Sequence, residues 1–336
     1  MMQGTGRTRR ILAIAALAGC AACGAVLGPD QSSAPLALFD QVWSDFDLHY
    51  SLFIVKHVNW DSLRAIYRPL AEHAKNENTA QSIVVQMISN LHDGHIQFRG
   101  GPAGEPLFGN VAAPTVTYGK YVDFRASLPG GVSYGTIAPG IGFIQISTFE
   151  GTDVVHEVDT ALAALNGVRA VIIDLRNNDG GLLDNATGAA SRFAQTRTTA
   201  AYVRYRNGPA HTDFTKYIEQ QVLPAGPIRF TGDVYLLTSR NTVSAAELFV
   251  MCMHSLGNTT VVGDTTAGET GSPFSRELQN GWTYQFPESI EYTLAGNAFE
   301  DIGLPPDVAV KNTNQQVQQL IDSQLQRAIT LAMQPK

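Results

Sequence analysis

The sequence predicts an α/β fold preceded by a small helical domain, and three observations support this prediction. Apolar residues recur every four positions between residues 36 and 92, which is the spacing of amphipathic helices. From Thr115 onward, short β-prone runs alternate with helical stretches, as in α/β proteins. The run 170–173 is apolar throughout, which favours a strand buried on both faces of a parallel sheet. With 44% apolar residues, the chain has enough material for a sizeable core.

Three helices are predicted in the N-terminal domain, which we assign to residues 36–94. The aromatic residues of these helices fall within the apolar stripes, so they are interpreted as core and not as a ligand site. The three stripes consist of Leu38, Val42, Phe46 and Tyr50, then Trp60, Leu63, Tyr67 and Leu70, then Ile83, Met87 and Leu91.

The α/β core is assigned to residues 95–336. Strands are predicted near 116–126, 132–138, 142–148, 170–175, 201–206, 233–238, 259–263 and 282–293, and helices near 152–165, 184–195 and 244–256. The tail from Gln315 to Met333 carries one apolar stripe, which predicts a single closing helix against the core.

A serine stands at the junction between a predicted strand and a predicted helix. Ser244 follows the apolar run 233–238 and opens the helical segment that starts at Ala245. Its hydroxyl would lie at the mouth of the sheet, beside free N–H groups of the first helical turn. A serine in this place can attack a carbonyl while the amides hold the developing oxyanion. A structural alternative stays open, because Ser244 and Glu247 also form the Ser-x-x-Glu pattern of a helix capping box.

A glycine pair and a histidine complete the candidate chemistry. Gly180 and Gly181 follow the buried strand in the polar turn Asn177-Asn178-Asp179, so that their backbone can approach another group closely. His95 lies where a helical segment meets a strand-like one, and histidine is the usual general base near neutral pH. His92 and His95 lack a third ligand at a recognisable spacing, so neither a metal nor another cofactor is expected. A plain turn and a histidine without a chemical role are the structural alternatives.

These segments, taken in order, resemble the superfamily of carboxy-terminal processing proteases and tricorn-type serine peptidases. The matching motifs are Leu91-x-Asp93-Gly94-His95, Gly142-Phe143-Ile144-Gln145, Asp174-Leu175-Arg176-Asn177-Asn178-x-Gly180-Gly181, Thr242-Val243-Ser244-Ala245-Ala246-Glu247, Gly263-Asp264-x-Thr266-Ala267-Gly268 and Gly303-Leu304-Pro305-Pro306-Asp307. The resemblance extends from about Leu38 to the end of the chain. It implies a Clp protease/crotonase-like α/β spiral core and a serine peptidase that cleaves peptides or unfolded segments. Ser244 would be the nucleophile, and the N–H groups of Ala245 and of Gly180 or Gly181 would form the oxyanion hole.

The resemblance also separates two possible general bases. Processing proteases carry a lysine shortly after the Gly-x-x-Thr-x-Gly turn, where this chain has Glu269, and a carboxylate cannot replace a neutral lysine there. The tricorn branch uses a histidine, matched by His95, and an acid matched by Glu300, with Asp301 as an acceptable substitute. Tricorn carries a serine before its histidine where this chain has Gly94. His95 and Glu300 must therefore meet directly or through water.

Two further consequences follow from the resemblance. Only about 45 residues separate His95 from Gly142, roughly half of what a PDZ domain and its flanks need, so that module is not expected. The superfamily also includes retinoid-carrying proteins, so a binding protein for an apolar ligand is the alternative function, and an esterase using the same residues is another. The oligomeric state and the preferred peptide sequence are not predicted.

The first 19 residues have the features of a signal peptide. A basic start with Arg7, Arg9 and Arg10 precedes a short apolar run, and Leu17-Ala18-Gly19-Cys20 resembles a bacterial lipobox. We expect a lipid on Cys20, a tether over 20–35 and a location on the periplasmic side of a bacterial membrane, with the outer membrane favoured. An ordinary secretory signal is the alternative.

The charge balance restricts the partners. The chain has 23 Lys+Arg and 30 Asp+Glu, and loss of the three signal arginines changes the net charge from −7 to −10. This excess of acid argues against nucleic acid or an anionic membrane surface as a partner. The three cysteines do not form the pattern of a disulfide framework.

Overall fold

The computed structural model describes residues 34–100, 118 and 120–334. The predicted signal peptide, Cys20 and the tether as far as residue 33 lie outside the described residues. Helix α1 begins at Pro35, whose fixed φ suits the first turn of a helix.

Four helices make up the N-terminal region. The predicted apolar stripes of the three longer helices face inward except at Leu70, which is 50% exposed. Two of them begin at asparagines, since Asn59 and Asn76 accept hydrogen bonds from the N–H groups of Ser62 and Thr79. The helices are α1 (Pro35–His49), α2 (Phe53–Lys56), α3 (Trp60–Glu72) and α4 (Glu77–Ser89).

The main sheet has seven strands in the order β13-β9-β8-β5-β4-β3-β2. The five strands from β13 to β4 are parallel, and β3 and β2 continue the sheet in antiparallel pairing. The strands are β2 (Asp123–Ser127), β3 (Val132–Ala138), β4 (Ile141–Ile146), β5 (Ala170–Asp174), β8 (Asp233–Thr238), β9 (Thr259–Gly263) and β13 (Val308–Ala309).

Helices cover both faces of this sheet, which explains the unbroken apolar run of β5. Val171 and Ile173 pack in one cluster with the helices α5 (Val154–Ala164), α6 (Leu183–Ala190) and α7 (Ala245–Ser255). Ala170 and Ile172 point into a second cluster, shared with the C-terminal helix α9 (Ser323–Met333). A strand buried on both faces needs apolar residues at every position, as the sequence indicated.

Two small antiparallel sheets complete the fold. One has the order β1-β11-β10 and the other β12-β6-β7. The N-terminal helices share one hydrophobic cluster with the first sheet, including Phe46 and Phe286, whose ring centroids are 4.1 Å apart. The strands are β1 (Gln97–Arg99), β6 (Thr198–Tyr205), β7 (Ile218–Val222), β10 (Pro273–Glu277), β11 (Thr283–Pro287) and β12 (Ser289–Tyr292).

Several element predictions were wrong in detail. The tail forms two helices, α8 (Asn314–Gln318) and α9, because Leu320 has a positive φ of 56° and Asp322 caps α9 by accepting from the Leu325 N–H. The strand predicted over 282–293 is divided at Glu288 into β11 and β12, which belong to different sheets. The predicted helix 184–195 ends at Ala190, and the strands β7, β10 and β13 were not predicted.

The described part of the segment between His95 and Gly142 forms no separate β-sandwich. It consists of β1, which pairs with β11, and of β2 and β3, which extend the main sheet. Among the described residues, no helix combines the length and apolar character needed to cross a bilayer.

Candidate active site

Ser244 occupies a strained position at the start of α7. Its backbone has φ 58° and ψ −121°, a conformation that costs a non-glycine residue on the order of 1–3 kcal/mol. Two acceptors hold it there, because its N–H lies 3.0 Å from the carbonyl oxygen of Glu269 and 3.2 Å from Glu247 Oε2. Strain of this kind persists where the surrounding structure fixes the backbone, which is common at active sites.

The capping interpretation explains only part of this geometry. Ser244 and Glu247 occupy capping-box positions, and the Glu247 carboxylate accepts from the Ser244 N–H. However, the Glu247 N–H also donates to the Ser244 backbone carbonyl at 2.8 Å. An ordinary N-cap residue also has extended backbone, unlike Ser244.

Glu247 fixes the loop that faces the nucleophile. Its carboxylate is fully buried and accepts from Thr266 Oγ1 at 2.5 Å, from the Gly268 N–H at 2.8 Å and from the Glu269 N–H at 3.0 Å. Burial raises the pKa of Glu247 to about 8, although these hydrogen bonds oppose the shift. Glu247 therefore joins the first turn of α7 to the loop 266–269.

The glycine turn packs directly against Ser244. A Cβ on Gly180 would lie 2.8 Å from the Ser244 Cβ and 3.2 Å from the Ala245 nitrogen, and Gly180 has a positive φ of 99°. Both the space and the backbone conformation therefore require glycine. The buried Asn178 positions this turn, since its side chain donates to the Ile146 carbonyl and its carbonyl accepts from the Val243 N–H.

The structure narrows the choice of oxyanion donors. The Gly180 N–H donates to Asn178 Oδ1 at 2.9 Å, so it is occupied within the turn. The Gly181 and Ala245 N–H groups donate to no other group among the described residues. Free N–H groups beside a serine hydroxyl are what an oxyanion hole requires.

His95 and Ser244 line the same cavity of about 550 Å³. Both ring nitrogens of His95 are buried and have no hydrogen-bond partner among the described residues, while its backbone N–H donates to Asp93 Oδ1 at 2.8 Å. Burial lowers the pKa of His95, the charge of Asp93 opposes this shift, and the charge of Lys56 reinforces it. A lowered pKa keeps the imidazole neutral, which is the form a general base needs.

Glu300 lies behind this cavity and is paired with a lysine. The Glu300 side chain is 2% exposed, with Oε1 3.5 Å from Lys56 Nζ and Oε2 accepting from the Thr270 N–H at 3.2 Å. Burial and the charge of Asp93 raise the pKa of Glu300 well above its ordinary value, while Lys56 opposes the shift. Since neither His95 nitrogen has a partner, no direct hydrogen bond joins Glu300 to the imidazole.

Asp301 and Asp93 complete a charged cluster around Lys56. Lys56 Nζ lies 2.8 Å from Asp301 Oδ1, and its side chain is 4% exposed. Asp93 Oδ2 accepts from the Tyr50 hydroxyl at 2.8 Å. The N-terminal helices therefore supply Tyr50 and Lys56 to the neighbourhood of His95. Sequence reasoning missed Lys56, because it stands in a four-residue helix at a break in the apolar pattern.

A buried ion-pair network supports the catalytic turn from below. The Arg176 guanidinium is 1% exposed and bonds Asp174 at 2.6 Å and Asp322 at 2.8 Å. The Arg176 carbonyl accepts from Ser239 Oγ at 2.5 Å, in the turn that leads from β8 to Ser244. Arg176 thereby connects the C-terminal helix to the nucleophile turn.

Among the described residues, no group of three or more His, Cys, Asp or Glu side chains could hold a metal ion. The cavity brings together the Ser244 hydroxyl and the His95 imidazole, with two unbonded backbone N–H groups next to the serine, and the carboxylates of Glu150, Asp179 and Glu269 also line it. This set can transfer an acyl group by nucleophilic catalysis.

The sequence matches two protein-family profiles and several curated relatives. The Peptidase family S41 profile matches residues 140–310, about half of the chain, and the Tricorn protease C1 domain profile matches residues 35–89. Carboxy-terminal processing protease CtpA of Bacillus subtilis (strain 168) is 29% identical over 171 residues, which cover 50% of this chain and 34% of that relative. The chain thus spans about a third of the length of the curated relatives it matches.

Solved structures extend the similarity over most of the chain. A protein from Parabacteroides merdae ATCC 43184 has a TM-score of 0.76 and 27% identity, covering 90% of this chain and 98% of its own. Mature CPAF complexed with lactacystin has a TM-score of 0.67 at 11% identity, covering 89% and 97%, and shows similarity of fold alone. The predicted Clp protease/crotonase-like α/β core with a helical N-terminal region is confirmed. The chain is a member of peptidase family S41.

Proposed function

We propose that this protein is a serine peptidase that hydrolyses peptide bonds through an acyl-enzyme. One observation carries the proposal: the strained Ser244 lies in one cavity with His95, whose buried ring nitrogens lack partners, and beside two free N–H groups. Family membership supports the same chemistry.

The reaction follows from the positions of these groups. Ser244 Oγ attacks the peptide carbonyl while His95 accepts the hydroxyl proton, and the N–H groups of Gly181 and Ala245 bind the oxyanion. His95 then gives its proton to the leaving amine. Water next attacks the acyl-enzyme while His95 accepts a proton from it, and this proton returns to Ser244 Oγ as the acid product leaves. Peptides or unfolded segments are the proposed substrates. The Ser-His-Glu arrangement with Glu300 as the acid stays a prediction from the sequence.

A fluorophosphonate probe tests the nucleophile. Wild-type protein should be labelled, Ser244→Ala should not, and peptide turnover should fall by at least about 10³-fold in that variant. Ser255→Ala is the matched control, because Ser255 lies at the other end of α7 and its hydroxyl only bonds the Cys252 carbonyl. Labelling or hydrolysis that survives Ser244→Ala would refute the proposal. A chain that is never labelled would favour the binding protein for an apolar ligand.

We also propose that the protein is secreted and held at the bacterial cell envelope by a lipid on Cys20. The support is the lipobox-like sequence that follows a basic and then apolar start. Radiolabelled palmitate should be incorporated by the wild type and by Cys23→Ala but not by Cys20→Ala. Equal labelling of the Cys20→Ala variant would contradict the anchor. Sucrose-gradient separation of the membranes would test the outer-membrane location.

A further inference from the structure

Glu269 lies against the residue that precedes the candidate base. An added Cβ on Gly94 would lie 2.4 Å from Glu269 Oε2 and 2.6 Å from its carboxyl carbon. The backbone of Gly94 does not have the positive φ that favours glycine. The space over Gly94 is therefore filled by the Glu269 carboxylate, which a larger residue at this position would push aside.

The main chain of Glu269 is fixed beside the nucleophile. Its N–H donates to Glu247 Oε2 at 3.0 Å, and its carbonyl oxygen accepts from the Ser244 N–H at 3.0 Å. The residue also lines the cavity shared by Ser244 and His95. Its side chain consequently projects from a rigid point into the catalytic cavity.

The carboxylates of Glu300 and Glu269 differ in the bonds that they already make. In Glu300, Oε2 accepts from the Thr270 N–H, whereas Oε1 makes no hydrogen bond and lies 3.5 Å from Lys56 Nζ. The Glu269 carboxylate makes no hydrogen bond or ion pair with a described residue, so its oxygens remain available to a new donor. The only new cation that the proposed reaction creates in this cavity is the His95 imidazolium.

We propose that Glu269 is the positioning carboxylate for His95, stabilising the imidazolium that forms when Ser244 attacks. This inference rests on the proposed function. The proton passes from the Ser244 hydroxyl to His95 and then to the leaving amine, while Glu269 remains an unprotonated counter-charge throughout. Gly94 makes the arrangement possible, because any side chain there would displace the carboxylate.

Charged groups on three other elements also act on Glu269. Burial and the charges of Asp93 and Asp301 raise its pKa, whereas the charge of Lys56 on α2 lowers it. The carboxylate is thus held near two like charges that disfavour its ionised form. A cation on His95 would relieve that repulsion, so the proposal expects protonation of the imidazole to favour the ionised form of Glu269.

An NMR titration of the imidazoles tests this coupling without depending on turnover. The His95 signal is assigned in the full chain by its loss in His95→Gln. In Glu269→Gln the pKa of His95 should fall by about one pH unit, because the negative charge proposed to face the imidazole is removed while Asp93 and Lys56 stay in place. Glu300→Gln should move it less. Glu150→Gln is the matched control, since Glu150 lines the same cavity without contacting Gly94.

Kinetics and a space-filling variant complete the test. Glu269→Gln should lower kcat about 10- to 100-fold with little change in KM, and the acid limb of kcat/KM should move to lower pH. Gly94→Ala keeps the charge but displaces the carboxylate, so it should show part of the same pKa shift. An unmoved His95 pKa in Glu269→Gln, or an equal shift in Glu150→Gln, would overturn the inference. A larger effect of Glu300→Gln would restore Glu300 as the acid. Failure of the proposed function would appear separately, as Ser244→Ala that turns over like the wild type.

Discussion

Replacing Gly180 by alanine should impair the nucleophile without removing any catalytic group. The new Cβ would lie 2.8 Å from the Ser244 Cβ, about 0.6 Å closer than the 3.4 Å at which ordinary contact begins. Its other close neighbours are the Val243 carbonyl oxygen at 2.9 Å and the Ala245 nitrogen at 3.2 Å. Since these are backbone atoms of the turn that leads into α7, they cannot rotate away as a side chain would, and Ser244 must shift. A displacement of this size in a reacting group should reduce kcat on the order of 10- to 100-fold.

Gly167→Ala separates this displacement from backbone strain. Gly167 also has a positive φ, 88°, but an added Cβ there meets no atom within 4 Å. Both variants should lose about 1–3 kcal/mol of unfolding free energy from the unfavourable φ, measured by urea titration. Only Gly180→Ala should also lose acylation, measured as the rate of fluorophosphonate labelling. If Gly180→Ala were labelled as fast as Gly167→Ala, the claim that the glycine turn positions Ser244 would be wrong.

Three other changes probe the charged groups around the site. Lys56→Met removes a cation that lowers the pKa of His95, so the acid limb of kcat/KM should move to higher pH. The control Lys75→Met, at an exposed position, should leave the limb in place. If the limb did not move in either variant, Lys56 would have no effect on the pKa of the base. Arg176→Met strands buried carboxylates and should cost about 3–5 kcal/mol in urea unfolding, and a loss below about 1 kcal/mol would contradict the network. Burial raises the pKa of Asp322, but its bonds to Arg176 prevail and lower it. The stability that ionised Asp322 contributes is therefore present above the unfolded pKa of about 3.9 and is lost as the pH falls through the folded value. The difference in Tm between wild type and Asp322→Asn should accordingly shrink below about pH 4.

The parts of the fold that the sequence predicted well are those in which burial alone decides the pattern. Strands β3, β8 and β9 have the predicted bounds, because each is apolar enough to be recognised and is ended by a polar or glycine turn. Strand β10, Pro273–Glu277, alternates exposed and half-buried residues and has no apolar face. Its place in a sheet is determined by pairing with β11, which the local sequence cannot reveal.

Some residues of the candidate site could likewise be predicted from the sequence, and others could not. Ser244 and the glycine turn could be recognised, since a strand-to-helix junction and a positive-φ turn restrict the residue types. The surroundings of His95 could not, because Lys56, Glu269 and Glu300 come from three distant segments. Only the folded chain shows that Glu300 lies 3.5 Å from Lys56 Nζ and that Glu269 fills the space over Gly94.

The Arg176 network makes the nucleophile turn depend on a segment that lies far away in the sequence. Asp322 and Gln324, which bond the Arg176 guanidinium, follow it by 146 and 148 residues. Without these two side chains, the buried guanidinium beneath the turn to Ser244 lacks half of its acceptors. A variant without this segment would therefore keep its serine, histidine and glycines while losing the support of the turn. The helix that begins at Ser323 thus contributes to the site without lining its cavity.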